Sequence, residues 1–147
     1  MARRLKEEKV TIALMRWLVS QGWEILCYDF PQSGTGKVIH PNGHSSKTDG
    51  VIIPDIIAIK ANKAVYFENK NRFVLEDFHK INNIKTSCNY SEGLTALIGD
   101  RMLYYGIGIP SSKNILSIIN DYSDLTDFII STDGEECTID FQSTNIF

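Results

Sequence analysis

Asp55, Glu68 and Lys70 are charged residues set into two otherwise apolar stretches, IIPDIIAIK (52–60) and AVYFENKNR (64–72). Burying a carboxylate or an amine without partners is costly, and charges kept in such places often serve chemistry. Residues two apart in a strand face the same way, so Glu68 and Lys70 share a face with Tyr66 beside them. Asn69 points away, and its backbone carbonyl oxygen lies near that face. A neighbouring strand would bring the Asp55 carboxylate within several ångströms of Glu68. The expected constellation is two carboxylates, a carbonyl oxygen and an ammonium.

That donor set suits a hard cation. Mg²⁺ takes one or two protein carboxylates, keeps several waters and completes its shell with substrate phosphate. Mg²⁺ is therefore the expected cofactor, with Mn²⁺ able to substitute. Such an ion lowers the pKa of a bound water and polarises a phosphate oxygen. Lys70 would orient or deprotonate the attacking water, or stabilise charge on the phosphoryl transition state. Without a metal the two carboxylates repel, and Lys70 offsets that only in part.

Positioning these groups needs two paired strands and elements that cover them. Ala61-Asn62-Lys63 is a short turn, which makes 51–60 and 64–71 a hairpin. The first of these strands is nearly continuous in apolar residues, a pattern of burial on both faces. Upstream, residues 4–21 read as a helix with apolar residues at Val10, Ala13, Leu14, Trp17 and Leu18. Ile12, Met15 and Val19 on its other side predict wide burial. Gly22 closes it, and 23–30 is a strand. Downstream, 75–86 reads as an amphipathic helix with Leu75, Phe78, Ile81 and Ile84 inward. Residues 88–101 read ambiguously, with Gly93 and Gly99 weakening a helix there. Residues 102–110 are a strand, Ser111 or Ser112 caps a helix through Tyr122, and 128–131 with 138–141 form a hairpin about Asp133-Gly134. The order α-β-β-β-α-β-α-β-β is a mixed α/β fold around one central sheet. At 147 residues the chain is expected to form one domain, 1–147.

Pro54-Asp55, twelve residues, then Glu68-Asn69-Lys70 resembles the motif of the PD-(D/E)xK nuclease superfamily. The segment DIIAIKANKAVYFENKNR is similar to the core of Holliday junction resolvases and type II restriction endonucleases. The resemblance spans 4–86 by order of elements and about twenty residues by motif. It implies a restriction-endonuclease-like fold and a metal-dependent DNA endonuclease. It makes Asp55 and Glu68 metal ligands, with the Asn69 carbonyl, and Lys70 the catalytic lysine. Many members add a glutamate from the first helix; Glu7 fits that spacing relative to Val10 and Leu14, with Glu8 the alternative. The helix runs about one turn longer before its glycine than in resolvases, a departure that bears on Glu7. Paired cuts by single active sites imply a homodimer. Restriction enzyme, junction resolvase and phage or mobile-element nuclease stay open, with a lean to restriction because the 31–50 loop and the C-terminal hairpin exceed a minimal resolvase.

Other residues are expected to touch DNA: Lys37, His40 and Lys47 in the 31–50 loop, Arg72 after the third strand, and Lys80 on the second helix. Lys85, Arg3 and Arg4 are weaker candidates. Ser33-Gly34-Thr35-Gly36-Lys37 fails as a phosphate loop, because Pro31 stands where the first Gly belongs and no Ser or Thr follows Lys37. His40 and His44 are separated by Pro41 and Gly43, which denies them a helical zinc pair. The net charge is −3, with +4 over residues 1–113 and −7 over 114–147. That split implies a basic working body and an acidic tail segment. Cys27, Cys88 and Cys137 form no disulfide framework, which points to a reduced, cytoplasmic chain. No apolar run reaches membrane-spanning length. A rival reading is a nuclease-fold DNA-binding or assembly protein that does not cut; a third is a protein-binding module using the acidic segment.

Overall fold

A computed structural model describes residues 5–30, 34–43 and 50–147. Arg3, Arg4, His44 and Lys47 lie outside them. The elements are α1 (Glu7–Ser20), β1 (Glu24–Tyr28), β2 (Ile56–Lys60), β3 (Lys63–Asn69), α2 (Leu75–Ser87), α3 (Ser91–Ile98), β4 (Met102–Pro110), α4 (Ile115–Tyr122), β5 (Phe128–Thr132) and β6 (Cys137–Gln142). The six strands form one sheet in the order β1-β2-β3-β4-β5-β6. β3, β4 and β5 run parallel, and the remaining pairs are antiparallel. The parallel steps need crossovers, which α2 with α3 and then α4 supply. This is a mixed α/β sheet flanked by helices, arranged as in the restriction-endonuclease-like fold.

Both faces of the sheet are covered. On one side α1 and the C-terminal Ile146 pack Val10, Leu14 and Leu18 against Ile56, Phe67 and Phe128. On the other, Phe78, Ile81 and Ile84 of α2, with Leu94 and Ile118, pack against Ile57, Tyr66 and Ile107. Strand alternation therefore decides where the polar residues go. Tyr66 faces α2, so Glu68 does too; Phe67 faces α1, so Asn69 does too.

One segment left open by the sequence resolves as a helix, and three local expectations fail. Residues 91–98 are helical despite Gly93, because a Cβ there would lie 2.7 Å from Ile39 Cγ2. The glycine lets α3 press against Ile39, which is bridged to Ile52. Gly99, at φ +70°, ends the helix rather than preventing it. Leu75 is exposed, whereas Asp77, on the opposite flank of the inward stripe, is buried. Val19 is also exposed, so α1 is covered less widely than its composition implies. Finally α4 begins at Ile115 with Asn114 as its N-cap, which makes no side-chain cap bond; Ser112 Oγ instead accepts from the Asn114 N–H at 3.1 Å.

Among the described residues no helix is long and apolar enough to cross a membrane. The contact between β3 and β4 depends on a glycine. A Cβ on Gly108 would lie 2.3 Å from Asn69 Oδ1 and 2.4 Å from Leu14 Cδ1. Gly108→Ala is expected to destabilise the fold by about 1–3 kcal/mol through overpacking, read as a lower melting temperature in a thermal denaturation followed by circular dichroism.

Candidate active site

Asp55 immediately precedes β2, and its backbone is still held on both sides. Its N–H donates to the Phe67 carbonyl at 3.1 Å, and its carbonyl accepts from the Asp29 N–H at 2.9 Å. The next residue, Ile56, pairs with Phe67, the residue before Glu68. The two carboxylates therefore end neighbouring strands on the same face, and both are buried, Asp55 at 7% and Glu68 at 5% exposure. Asp55 Oδ2 accepts the Asn69 N–H at 2.7 Å. Asn69 thus serves Asp55 through its N–H.

The electrostatics follow from that crowding. Burial pushes the Asp55 carboxyl up to about 8, and the Glu68 charge adds to the effect; the Asn69 N–H only partly opposes it, and Glu7 raises it further. Burial likewise raises Glu68 above the usual carboxylate range, against the pull of Lys80. Tyr66, buried beside them, is raised by burial and by both carboxylates. For Lys80, burial would lower the ammonium's pKa, but the Glu68, Asp55 and Asp77 charges outweigh it and the net direction is up.

Of the expected site residues, Asp55, Glu68, Lys70 and Glu7 share one neighbourhood. The Glu7 charge is near enough to raise the Asp55 carboxyl, and the Lys70 ammonium is near enough to pull Glu68 and Asp77 down. Glu8 is exposed. Lys80 is placed differently from expectation: its Nζ lies 3.1 Å from Glu68 Oε1 and forms an ion pair with it. Glu68 is therefore neither solvent-facing nor bridged to Lys70 as a plain surface pair would be. Lys85 is paired with Asp127. Lys37 and His40 line a groove of about 530 Å³ against α3, with Glu92 and Leu97. Arg72, two residues after Lys70 in the chain, is exposed and lines a cleft.

Two groups escaped sequence reasoning. Asp77 is 7% exposed, and burial raises its carboxyl while Lys70 and Lys80 pull it down. Its signal was present: Asp77, Ile81 and Ile84 fall at i, i+4 and i+7, the inward stripe of α2. Thr11 is fully buried and accepts the Asn69 Nδ2–H at 3.1 Å. It stands one turn after Glu7, on the same face of α1. The Asn69 side chain thereby ties α1 to β3 and sets the approach of Glu7 to Asp55.

The donor set fits a hard divalent cation. Glu68 Oε2, Asp77 Oδ2 and the Tyr66 hydroxyl are buried with no hydrogen-bond partner, and two buried carboxylates oppose one another. Among the described residues no three His, Cys, Asp or Glu side chains converge as a metal-holding group. Two carboxylates with waters and phosphate is the pattern Mg²⁺ accepts.

No family model and no curated protein matches the chain. Two solved structures resemble it. One is an XisH family protein from Nostoc punctiforme PCC 73102, with 20% identity over 92% of this chain and 95% of that one, at a TM-score of 0.46. The other is a fdxN element excision controlling factor protein from Anabaena variabilis, with 18% identity, the same coverage and a TM-score of 0.44.

Lys80 supplies a direct test of the site's electrostatics. Lys80→Met should leave Glu68 buried without its cation, lowering the melting temperature of the metal-free protein. Millimolar Mg²⁺ should then raise that temperature more in the variant than in the wild type. Equal Mg²⁺ shifts in the two would show that Lys80 and the metal do not share Glu68.

Proposed function

We propose that this protein is a metal-dependent endonuclease that hydrolyses DNA phosphodiester bonds, in the manner of restriction enzymes. The observation that carries the reading is the buried Asp55–Glu68 pair. Its charges oppose each other, and Glu68 Oε2 has no partner. A pair so placed is deficient in positive charge, and a hard cation supplies it.

Bound there, Mg²⁺ or Mn²⁺ would acidify a water and polarise a phosphoryl oxygen. The chain's own groups do the rest. Asp55 and Glu68 would hold the ion, with Asp55 fixed by the Asn69 N–H. Lys70, tethered through its own N–H to the Gly108 carbonyl at 3.0 Å, presents its ammonium to the water or to the charge developing on phosphorus. Glu7 of α1, whose charge acts on Asp55, would be the candidate for a further oxygen donor, though among the described residues it does not converge with the two carboxylates. Lys80 holds Glu68 in place before metal arrives.

One observation favours a second reading, a DNA-binding protein of this fold that does not cut. The Lys80 ammonium already neutralises one oxygen of Glu68. The unpartnered oxygens of Glu68 and Asp77 weigh against it. End-labelled linear duplex, forked and four-way DNA incubated with Mg²⁺ separate the two. Cut products that disappear with EDTA support the nuclease. Retention of DNA with no product and no metal dependence supports the second reading. Among cut substrates, preference for the linear duplex or the junction distinguishes a restriction-like enzyme from a resolvase.

A further inference from the structure

A cleft of about 540 Å³, lined by Asn71 and Arg72 directly after Lys70 in the chain, opens at the carboxyl ends of the parallel strands β3, β4 and β5. In open α/β sheets that end is where ligands bind, and this volume lies in the range of about 300–1,000 Å³ typical of small-ligand sites. Its walls are chemically divided. Arg72 follows Lys70 by two residues and is exposed; among the described residues it forms no ion pair. Phe73 and Pro110 supply apolar surface. Phe73 is held by stacking on Tyr122, at 5.2 Å between centroids, and by Phe78 at 5.5 Å. It is therefore a fixed platform rather than a loose side chain. Ser111, Ser112 and Asn114 add short polar groups. The Ser112 hydroxyl oxygen already accepts the Asn114 N–H, which leaves its own proton free to be donated.

A guanidinium for a phosphate, an aromatic platform for a base and short hydroxyl and amide groups for base or sugar edges are the parts of a nucleotide site. Asp133 also lines the cleft, with its carboxylate tied to the Glu135 and Glu136 N–H groups at 2.8 Å. It repels a second phosphate and accepts from an exocyclic amine or a sugar hydroxyl. The two-residue step from Lys70 to Arg72 spans at most about 7 Å, comparable to one nucleotide along an extended strand. The volume of about 540 Å³ suits a single nucleotide.

We propose that this cleft holds one unpaired nucleotide adjacent to the scissile phosphate, so that the substrate is DNA with a single-stranded or splayed strand at the cut. The proposal rests on the nuclease reading for its scissile phosphate, but binding in the cleft needs no metal.

The test is equilibrium binding by fluorescence anisotropy in EDTA, with full-length protein. The probes are a blunt duplex, a fork with single-stranded arms and a single-stranded oligonucleotide of equal length. The wild type should bind the fork and the single strand at least about tenfold more tightly than the blunt duplex. Arg72→Gln removes the phosphate fork, and Ser112→Trp fills the cleft from an exposed position. Each should remove most of that preference with the melting temperature unchanged; Arg72→Gln also weakens duplex binding modestly through the lost charge, whereas Ser112→Trp leaves duplex binding unchanged. Equal affinity for fork and duplex in the wild type would overturn the proposal. So would a fork preference that both variants keep, or absence of binding to all three probes. Fork preference without cleavage in Mg²⁺ or Mn²⁺ sinks the nuclease reading and leaves the cleft standing. Efficient cutting of blunt duplex with no fork preference does the reverse.

Discussion

Asp55→Asn is expected to abolish cleavage while making the metal-free protein more stable. Asparagine keeps the shape of the side chain, and its Oδ1 still accepts the Asn69 N–H that Asp55 Oδ2 accepts at 2.7 Å. What disappears is the charge. Holding that charge at 7% exposure beside Glu68, with the Glu7 charge adding to the effect, disfavours the ionised form strongly. Removing it should stabilise the fold by about 1–2 kcal/mol at pH 8, a rise in melting temperature of roughly 3–6 °C for a chain of this size. Activity should fall about a thousandfold or more, because the anionic ligand that holds the ion is gone. Opposite signs for stability and activity are the mark of a functional charge; a structural ion-pair partner would lose both.

The pH dependence has a definite sign. The folded Asp55 carboxyl lies at about 8, above its ordinary value of 3.8. Between those values the folded chain keeps a proton that the unfolded chain has released. This group's contribution to stability is therefore fully present below about pH 4 and is lost as pH rises through 8. Glu68 and Asp77 are raised as well and act in the same direction. Metal-free wild type should thus melt at progressively lower temperature from pH 5 to pH 8, and Asp55→Asn should show a shallower decline. Divalent metal competes with the proton, so the stabilisation by Mg²⁺ should grow over the same interval.

Lys70→Met should leave stability and metal binding nearly intact and remove activity. Lys70 is half-buried just past the end of β3, and it is the backbone N–H, bonded to Gly108 O, that holds the chain there. Methionine keeps that bond and much of the aliphatic stem. Glu68 retains its ion pair with Lys80, so no carboxylate is stranded. The expected loss is about 100- to 1,000-fold in turnover, the scale for removing one donor aimed at transition-state charge. A Mn²⁺ titration by calorimetry should give wild-type stoichiometry. If cleavage persists unchanged in Lys70→Met, Lys70 has no catalytic part, and Lys80, the other cation beside Glu68, becomes the candidate.

Much of this site was legible in the sequence because strand alternation is rigid. With 51–60 and 64–71 read as a hairpin, Asp55 and Glu68 have to meet, and Tyr66 and Glu68 have to share a face; the first strand in fact begins only at Ile56, just after Asp55. β4 was read to its ends for the same reason, as an uninterrupted strand between a turn and a proline. Helical segments were harder. Gly93 reads as a breaker until Ile39 is seen packed against it, a contact made by a residue 54 positions away in the chain. Lys80 reads as a phosphate contact because its helix follows the site; its partner Glu68 lies on another element, and nothing local reveals the pairing. Leu75 and Asp77 differ from expectation for a related cause. They flank the inward stripe of α2 on opposite sides, and only the neighbouring cations explain why the acid is the one buried. Thr11 and the Asn69 side chain join α1 to β3 through one hydrogen bond, a contact with no periodic signature at all.

The central claim is that Asp55 and Glu68 hold a divalent cation that drives phosphodiester hydrolysis. It is tested most directly by the initial rate at which supercoiled plasmid is nicked in Mn²⁺, measured for the wild type and Asp55→Asn side by side. The account predicts nicking by the wild type that EDTA abolishes and that Asp55→Asn lacks, with the variant melting at the higher temperature. Metal-independent nicking, or equal nicking by a folded Asp55→Asn, would contradict it.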